Sequence, residues 1–421
     1  MRWKTKEKTV TSLRLSHLTA IAAACLAGHA WSAEPVVKFS GFGTLGLTHS
    51  SAKNADFKGM FFDTATGAGR SDTWSFNPDS RLAVQMDAEY DTNWELTGQL
   101  MARKTYDKTF SPTVETFNLK YKFDNFTSLR AGRFAHPYFM VSDARVIGYA
   151  VPFVRGPVEV YGNSNLHTDG VQFSKRLSLA DSSITTSFGV GEGKYDRAPS
   201  DATVSKSDSG AFRKLLFGDI QYETGPWTLR AGASTGKNDY APARMKRLFD
   251  FAAMVDPALS HELDFNNKRV TFFGLGATWD TGDYFAQAEY TMVHWGLGKK
   301  SIAPDEDAFY FMAGKRIGNF SPYAIYAKKS SGTPRVVTEF AMPALNSAFT
   351  TVAKSVPTDQ HTLSAGIRWD FKANMALKAQ YDHMTMDSDG NNSMLINVDP
   401  NNPIKKGDSV NIIGVTLDFI F

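Results

Sequence analysis

The chain has 421 residues, with 46 Lys and Arg against 43 Asp and Glu, and is 42% hydrophobic and 13% aromatic. A formal charge of +3 with no concentrated basic patch excludes the electrostatic footprint of a nucleic-acid binder. One cysteine, Cys25, excludes a disulfide framework, and no run of 18 apolar residues occurs, so strands are the only route by which this chain could cross a membrane.

Residues 1–32 read as a secretory signal peptide. Arg2, Lys4, Lys6, Lys8 and Arg14 make a basic start, Leu18 to Gly28 an apolar middle, and Gly28, Ala30 and Ser32 offer small residues for cleavage. Without this segment the count is 41 basic against 42 acidic residues, a net charge of −1, and the cysteine is gone. Export out of the cytoplasm is the expectation, with 33–421 as one domain.

From there the chain alternates with a period of two. Leu82, Val84, Met86, Ala88 and Tyr90 interleave with Gln85, Asp87 and Glu89. Trp94, Leu96, Gly98, Leu100 and Ala102 face Glu95, Thr97, Gln99 and Arg103, and Leu363, Ala365, Ile367, Trp369 and Phe371 repeat the pattern near the end. Such alternation puts one set of side chains on each face of a strand. Sixteen segments show it: 36–50, 80–90, 94–104, 114–123, 127–134, 168–177, 182–191, 212–223, 227–236, 268–280, 284–295, 307–317, 320–330, 359–371, 375–386 and 408–421. The connections alternate between tight turns (Asp91-Thr92-Asn93, Asp124-Asn125-Phe126, Thr224-Gly225-Pro226, Thr281-Gly282-Asp283, Gly318-Asn319) and long polar loops, the longest being 51–79, 135–167, 237–267 and 331–358. Trp94, Trp227, Tyr284, Trp279, Trp369, Phe123, Phe126, Phe285 and Phe371 gather at the tight turns, where an interfacial girdle belongs. The expected fold is all-β: a 16-stranded antiparallel transmembrane β-barrel with both termini on the short-turn side.

Polar side chains of such a barrel face its lumen, since a basic residue on the lipid face costs about 2–4 kcal/mol at the midplane. Arg81, Arg103, Lys120, Lys122 and Arg130 therefore form an expected basic wall on consecutive strands, with Arg133 where strand gives way to loop. The loop 135–167 brings Asp143 and Glu159, balanced by Arg145 and Arg155. A transverse field between loop and wall would give weak anion preference or none.

The segment Leu129-Arg130-Ala131-Gly132-Arg133-Phe134, the run Arg155-Gly156-Pro157-Val158-Glu159-Val160-Tyr161-Gly162 and the exit Asp169-Gly170-Val171 resemble the corresponding region of the general diffusion porins of Gram-negative proteobacteria. The last strand, Val415-Thr416-Leu417-Asp418-Phe419-Ile420-Phe421, is similar to the terminal strand of bacterial outer-membrane proteins. The resemblance covers the whole mature chain in architecture and 127–177 in motif. An acidic Pro-Glu-Phe-Gly-Gly type loop tip of the family is absent. It implies a third loop folded into the lumen, a water-filled channel passing small hydrophilic solutes and ions by passive diffusion, and a homotrimer among outer-membrane lipids. It also implies that Phe421 is read by the barrel-assembly machinery.

Two other readings stay open: a porin selective for sugars or organic acids, served by an aromatic slide of Tyr138, Phe139, Tyr149 and Phe153, and a non-conducting barrel with an adhesive or structural role. Asn163-Ser164-Asn165 with His167 matches no hydrolase arrangement, so no enzyme is expected. Asp387-Ser388-Asp389-Gly390-Asn391 opens like a calcium loop, but Asn392 and Val398 stand where Gly and Glu are required. No metal or cofactor is expected.

Overall fold

The computed structural model describes residues 35–61, 64, 66–106, 109–162, 167–197, 208–240, 242, 245–296, 302–389 and 395–421. The expected signal peptide, Asn163-Ser164-Asn165 and Gly390-Asn391 lie outside them.

Among the described residues, sixteen long strands close into one antiparallel barrel. They are β1 (Val36–Ser50), β2 (Arg81–Tyr90), β3 (Trp94–Arg103), β4 (Thr113–Lys122), β5 (Thr127–Ala135), β6 (His167–Leu179), β7 (Ser182–Arg197) and β8 (Asp208–Thr224). They continue as β9 (Trp227–Tyr240), β10 (Lys268–Asp280), β11 (Tyr284–Trp295), β12 (Glu306–Lys315), β13 (Phe320–Ser331), β14 (Gln360–Lys372), β15 (Met375–Met386) and β16 (Ser409–Ile420). Each pairs with its neighbours in sequence, and β1 closes the cylinder by pairing Val36–Thr44 with Arg81–Glu89 of β2 and Phe42–Ser50 with Ile412–Ile420 of β16. Closure removes every sheet edge, so each backbone group finds a partner without water. No helix of the described residues is long and apolar enough to cross a membrane.

The alternation read from the sequence decides which face is which. Leu82, Val84, Leu100, Val190, Leu216, Leu275, Phe311 and Leu363 are exposed on the outside, while the residues between them, Arg81, Gln99, Gln287, Thr362 and Asp418 among others, are buried inside. At the tight turns the outward aromatics touch: Trp94 and Tyr121 at 4.7 Å, Trp227 and Trp279 at 6.3 Å, Phe320 and Trp369 at 5.7 Å. Phe285 departs from the expected girdle. It points inward and is buried with Tyr310, Met312 and Tyr323.

The strands β7 and β8 run to Arg197 and from Asp208, beyond the expected limits of 191 and 212. Above the lipid both faces meet water, so apolar and polar residues no longer alternate, yet the backbone ladder continues. Outside the barrel, the loops after β9 and β13 carry helices α2 (Lys246–Val255), α3 (Pro257–Leu263) and α4 (Pro343–Ser355), which share an apolar core of Leu263, Phe265, Ile302, Leu345 and Phe349. The helix α1 (Val158–Tyr161) belongs to the loop after β5.

The chain's last residue is held in the ladder. Gly41 N–H donates to the Phe421 carbonyl at 2.9 Å, and Phe421 N–H donates back at 3.0 Å. Outward-facing Gly41 and Gly43 lie under the rings of Phe421 and Phe419, where an added Cβ would come within 2.3 Å of either ring. A Gly43→Leu variant is expected to push Phe419 off the seam and cost about 1–3 kcal/mol, read as a lower temperature for loss of the compact, heat-modifiable band on a gel. An unchanged transition would show that the ring does not close the seam.

Candidate functional site

The 136–162 segment runs across the inside of the barrel. It leaves β5 with His136 buried, its Nδ1 within 2.5 Å of Thr168 Oγ1. It then passes over three inward glycines: an ideal Cβ on Gly232, Gly274 or Gly276 would meet the Pro137 carbonyl at 3.4 Å, the Tyr138 carbonyl at 3.0 Å and Met140 at 2.2 Å. Any larger residue there would occupy the volume the loop needs. Arg230 of β9 donates to the Phe139 carbonyl at 2.7 Å, and Met140 N–H donates to Glu289 of β11 at 3.2 Å.

Beyond the tip the loop is fixed to the far wall. Arg81 Nε donates to the Val146 carbonyl at 2.6 Å. Lys378 of β15 donates to the carbonyls of Gly148, Val151 and Phe153 at 2.5, 2.7 and 3.2 Å and pairs with Asp418 at 3.1 Å. Arg368 of β14 donates to the carbonyls of Tyr149 and Val151. Arg155 lies between Asp79 at 2.7 Å and Asp382 at 2.8 Å, donates to Thr48 at 3.1 Å, and covers the Phe57 ring. Glu159 accepts from Gln360 at 2.6 Å and Thr362 at 2.5 Å, and Tyr161 donates to Glu289 at 2.7 Å. Burial raises the Glu159 carboxyl, and the residue lines a small cavity together with Asp382, Gln380 and Ser364.

These contacts divide the wall. On β13–β16 and β1 the inward residues Tyr323, Ile325, Thr362, Lys378, Gln380, Asp382, Thr416, Asp418, Thr44 and Thr48 are buried under the loop. On β2–β8 the inward Gln85, Asp87, Glu95, Thr97, Lys120, Lys122, Arg130 and Gln221 keep partial exposure. An inward polar side chain that stays wet marks water in the lumen, so the remaining opening lies against the β2–β8 arc.

The expected site residues separate accordingly. Lys120 and Lys122 both pair with Glu95, at 2.9 and 3.0 Å. Arg130 donates to Gln172 at 2.5 Å and lies 4.3 Å from the centroid of the Phe134 ring. Asp143 is exposed on the loop, and its charge is felt by both Arg130 and Asp219. Arg81 and Arg103 are cross-strand partners, both buried and both over the Phe61 ring. Arg145 is buried against Phe139. Arg155 and Glu159 sit behind the loop in its contact with the wall, so they fasten it and do not line the opening. Arg133 is corrected outright. It shares a register row with outward Phe117 and pairs with Asp169 at 2.7 Å on the outer face of the barrel. Near the rim, above the lipid, an outward ion pair escapes the cost that holds at the midplane.

The sequence reading missed Asp219 and Arg230, an ion pair at 3.2 Å beside Arg130. Both fall at inward positions of their strands, and Gly232 next along β9 marks where the loop crosses. Phe139 and Phe153 of the supposed aromatic slide are 2% and 3% exposed, packed against β10–β13, and present nothing to a passing solute.

No protein-family model matches the chain, and no curated relative does. Several solved structures are similar to it. The anion-selective porin from Comamonas acidovorans is 12% identical over 92% of this chain and 100% of its own, with a TM-score of 0.54. The loop L8 deletion mutant of OmpT, an outer membrane protein of Vibrio cholerae, is 13% identical over 92% and 99%, with a TM-score of 0.51. In-vitro folded OmpT is 14% identical over 94% and 100%, with a TM-score of 0.50. At these identities the likeness carries the fold.

Proposed function

We propose that the chain is an outer-membrane porin, a water-filled channel for passive diffusion of small hydrophilic solutes and ions, belonging to the general diffusion porins. One observation carries this reading: the internal loop is fastened to one arc of the wall while polar side chains on the opposite arc keep contact with water. A barrel of sixteen strands is wide enough for such a lumen. In this reading residues 1–32 direct export, the protein is a homotrimer in the outer membrane of a Gram-negative bacterium, and it performs no catalysis. Charges at the opening nearly cancel. Lys120 and Lys122 share Glu95, Arg230 is matched by Asp219, and Arg130 by Asp143. Weak anion preference or none follows, and the similar porin from Comamonas acidovorans is anion-selective.

Purified protein in planar bilayers is expected to give steady ohmic steps, with a reversal potential near zero or slightly on the anion side in a salt gradient. Absence of conductance would support a structural barrel and end the channel reading. Strong cation selectivity would end the assignment of Arg130 and Lys120 to the filter.

A further inference from the structure

The internal loop is wound as a ribbon of successive tight turns. Ser142 N–H donates to the Phe139 carbonyl at 3.2 Å, Ala144 to Val141 at 2.9 Å, Ile147 to Ala144 at 2.8 Å and Ala150 to Ile147 at 3.0 Å. Hydrogen bonds spanning three residues give three residues per turn, so side chains three apart share a face. Burial follows that period: Phe139, Ser142, Arg145, Gly148, Val151 and Val154 are all buried. The other two faces keep part of their surface exposed. One carries Met140, Asp143, Val146 and Tyr149, the other Val141, Ala144, Ile147 and Ala150. Of these, only Asp143 is charged.

The ribbon runs close to the short-turn end of the barrel. Arg230, Arg368 and Lys378, which hold it, stand three or four residues from the short-turn ends of β9, β14 and β15. The Tyr149 hydroxyl donates at 2.6 Å to the carbonyl of Ala373, in the short turn itself. On the wet arc, Asp87, Thr97, Lys120 and Arg130 stand two or three residues from the short-turn ends of β2, β3, β4 and β5. The two surfaces therefore lie at one level and bound the same opening, with a charged wall on one side and a mostly apolar ribbon on the other.

The charged wall has a cation to offer. Arg130 donates to the Gln172 side chain and, among the described residues, has no carboxylate within ion-pair distance. Lys120 and Lys122 share the single acid Glu95. A loop lined with acids would set a field across the whole opening, which favours polar solutes over apolar ones. Here the loop side supplies one acid, and the rest of its lumen surface gains free energy by shedding water against hydrocarbon.

We propose that the opening selects amphiphilic monocarboxylates, small anions with an apolar body. The carboxylate meets Arg130 while the hydrocarbon passes along Met140, Ala144 and Ile147. A guanidinium suits a carboxylate through its paired N–H donors. The proposal rests on the channel reading and names the class of solute the channel favours.

The test uses the full barrel in planar bilayers at mildly alkaline pH, with hexanoate and gluconate as probes, anions of equal chain length that differ in hydroxylation. Reversal potentials against chloride are expected to give hexanoate about tenfold the permeability of gluconate, the effect of about two methylenes withdrawn from water. Ile147→Thr should bring this ratio down toward one, and Ile147→Val should keep most of it. Arg130→Gln should lower the permeability of both anions and leave their ratio in place. Block of the chloride current in the wild-type channel gives a second measurement that needs no variant: hexanoate should act at about a tenth of the gluconate concentration. Absence of any chloride current would end the channel reading itself. A chloride current accompanied by a hexanoate-to-gluconate ratio at or below one, by equal block, or by a ratio that survives Ile147→Thr would overturn this proposal alone.

Discussion

Arg155→Ala is expected to give a barrel of lower stability with a larger and noisier conductance. The guanidinium joins four separate parts of the chain: Thr48 on β1, Asp79 in the first loop, Asp382 on β15 and its own internal loop. The side chains of Arg155, Asp79 and Asp382 are only 2%, 3% and 6% exposed. Removing the cation strands two buried carboxylates, a change worth about 3–5 kcal/mol. Stability lost in this way is read as a lower denaturant midpoint, and release of the loop as wider, fluctuating current steps. Adding Asp79→Asn and Asp382→Asn should return most of the stability, since neutral groups of similar shape no longer need the cation, while the loop remains loosened. Acid should weaken the same contact. Burial raises the Asp79 carboxyl, but the charge and hydrogen bonds of Arg155 outweigh it and hold it below the usual range. A depressed carboxyl contributes stability that is present above its unfolded value and fades as pH falls through the folded one. An Arg155→Ala protein with unaltered midpoint and unaltered current would show that Lys378 and Arg368 hold the loop without it.

The strands were legible because hydrocarbon and water touch alternate side chains, and that requirement writes a period of two into β2, β3 and β14 alike. Where the requirement lapses, so does the pattern: the ends of β7 and β8 extend into water, and nothing in Glu192, Lys194 or Asp196 announces a ladder. Arg133 was assigned to the lumen on charge, although Leu129 and Ala131, four and two positions before it, already put its parity outside. The internal loop was harder. Sequence shows that Arg155, Glu159 and Asp143 share a loop, but not which of them meets the wall and which meets water, because that depends on the depth at which the loop crosses. A signal existed in the inward glycines Gly232, Gly274, Gly276 and Gly414, each placed where a side chain would strike the loop. They become readable only once the loop's path is known.

Arg130→Glu is expected to turn the channel from weakly anion-preferring to cation-preferring, reversing the sign of the potential measured in a salt gradient. Arg130 is partly buried on the wet arc, held by Gln172 and by the face of Phe134, and its remaining exposure leaves the substituted carboxylate in contact with water. It would also stand near Asp219 and Asp143, adding to their charge. A unit charge acts on an ion 5 Å away with about 0.8 kcal/mol in water, so a swing of two charges is worth about 1.7 kcal/mol, roughly fifteenfold for each ion and in opposite directions for cation and anion. Ions in the bath screen this, so the shift should be largest at 0.01 M salt and nearly absent at about 1 M. Asp143→Lys should move the potential the opposite way. Glu159→Gln should leave it unchanged, because Glu159 lies behind the loop against Gln360 and Thr362. A selectivity that responds to Glu159 and ignores Arg130 would place the ion path on the other side of the loop, along β13–β16, and would dismantle the division of the wall on which the channel reading stands.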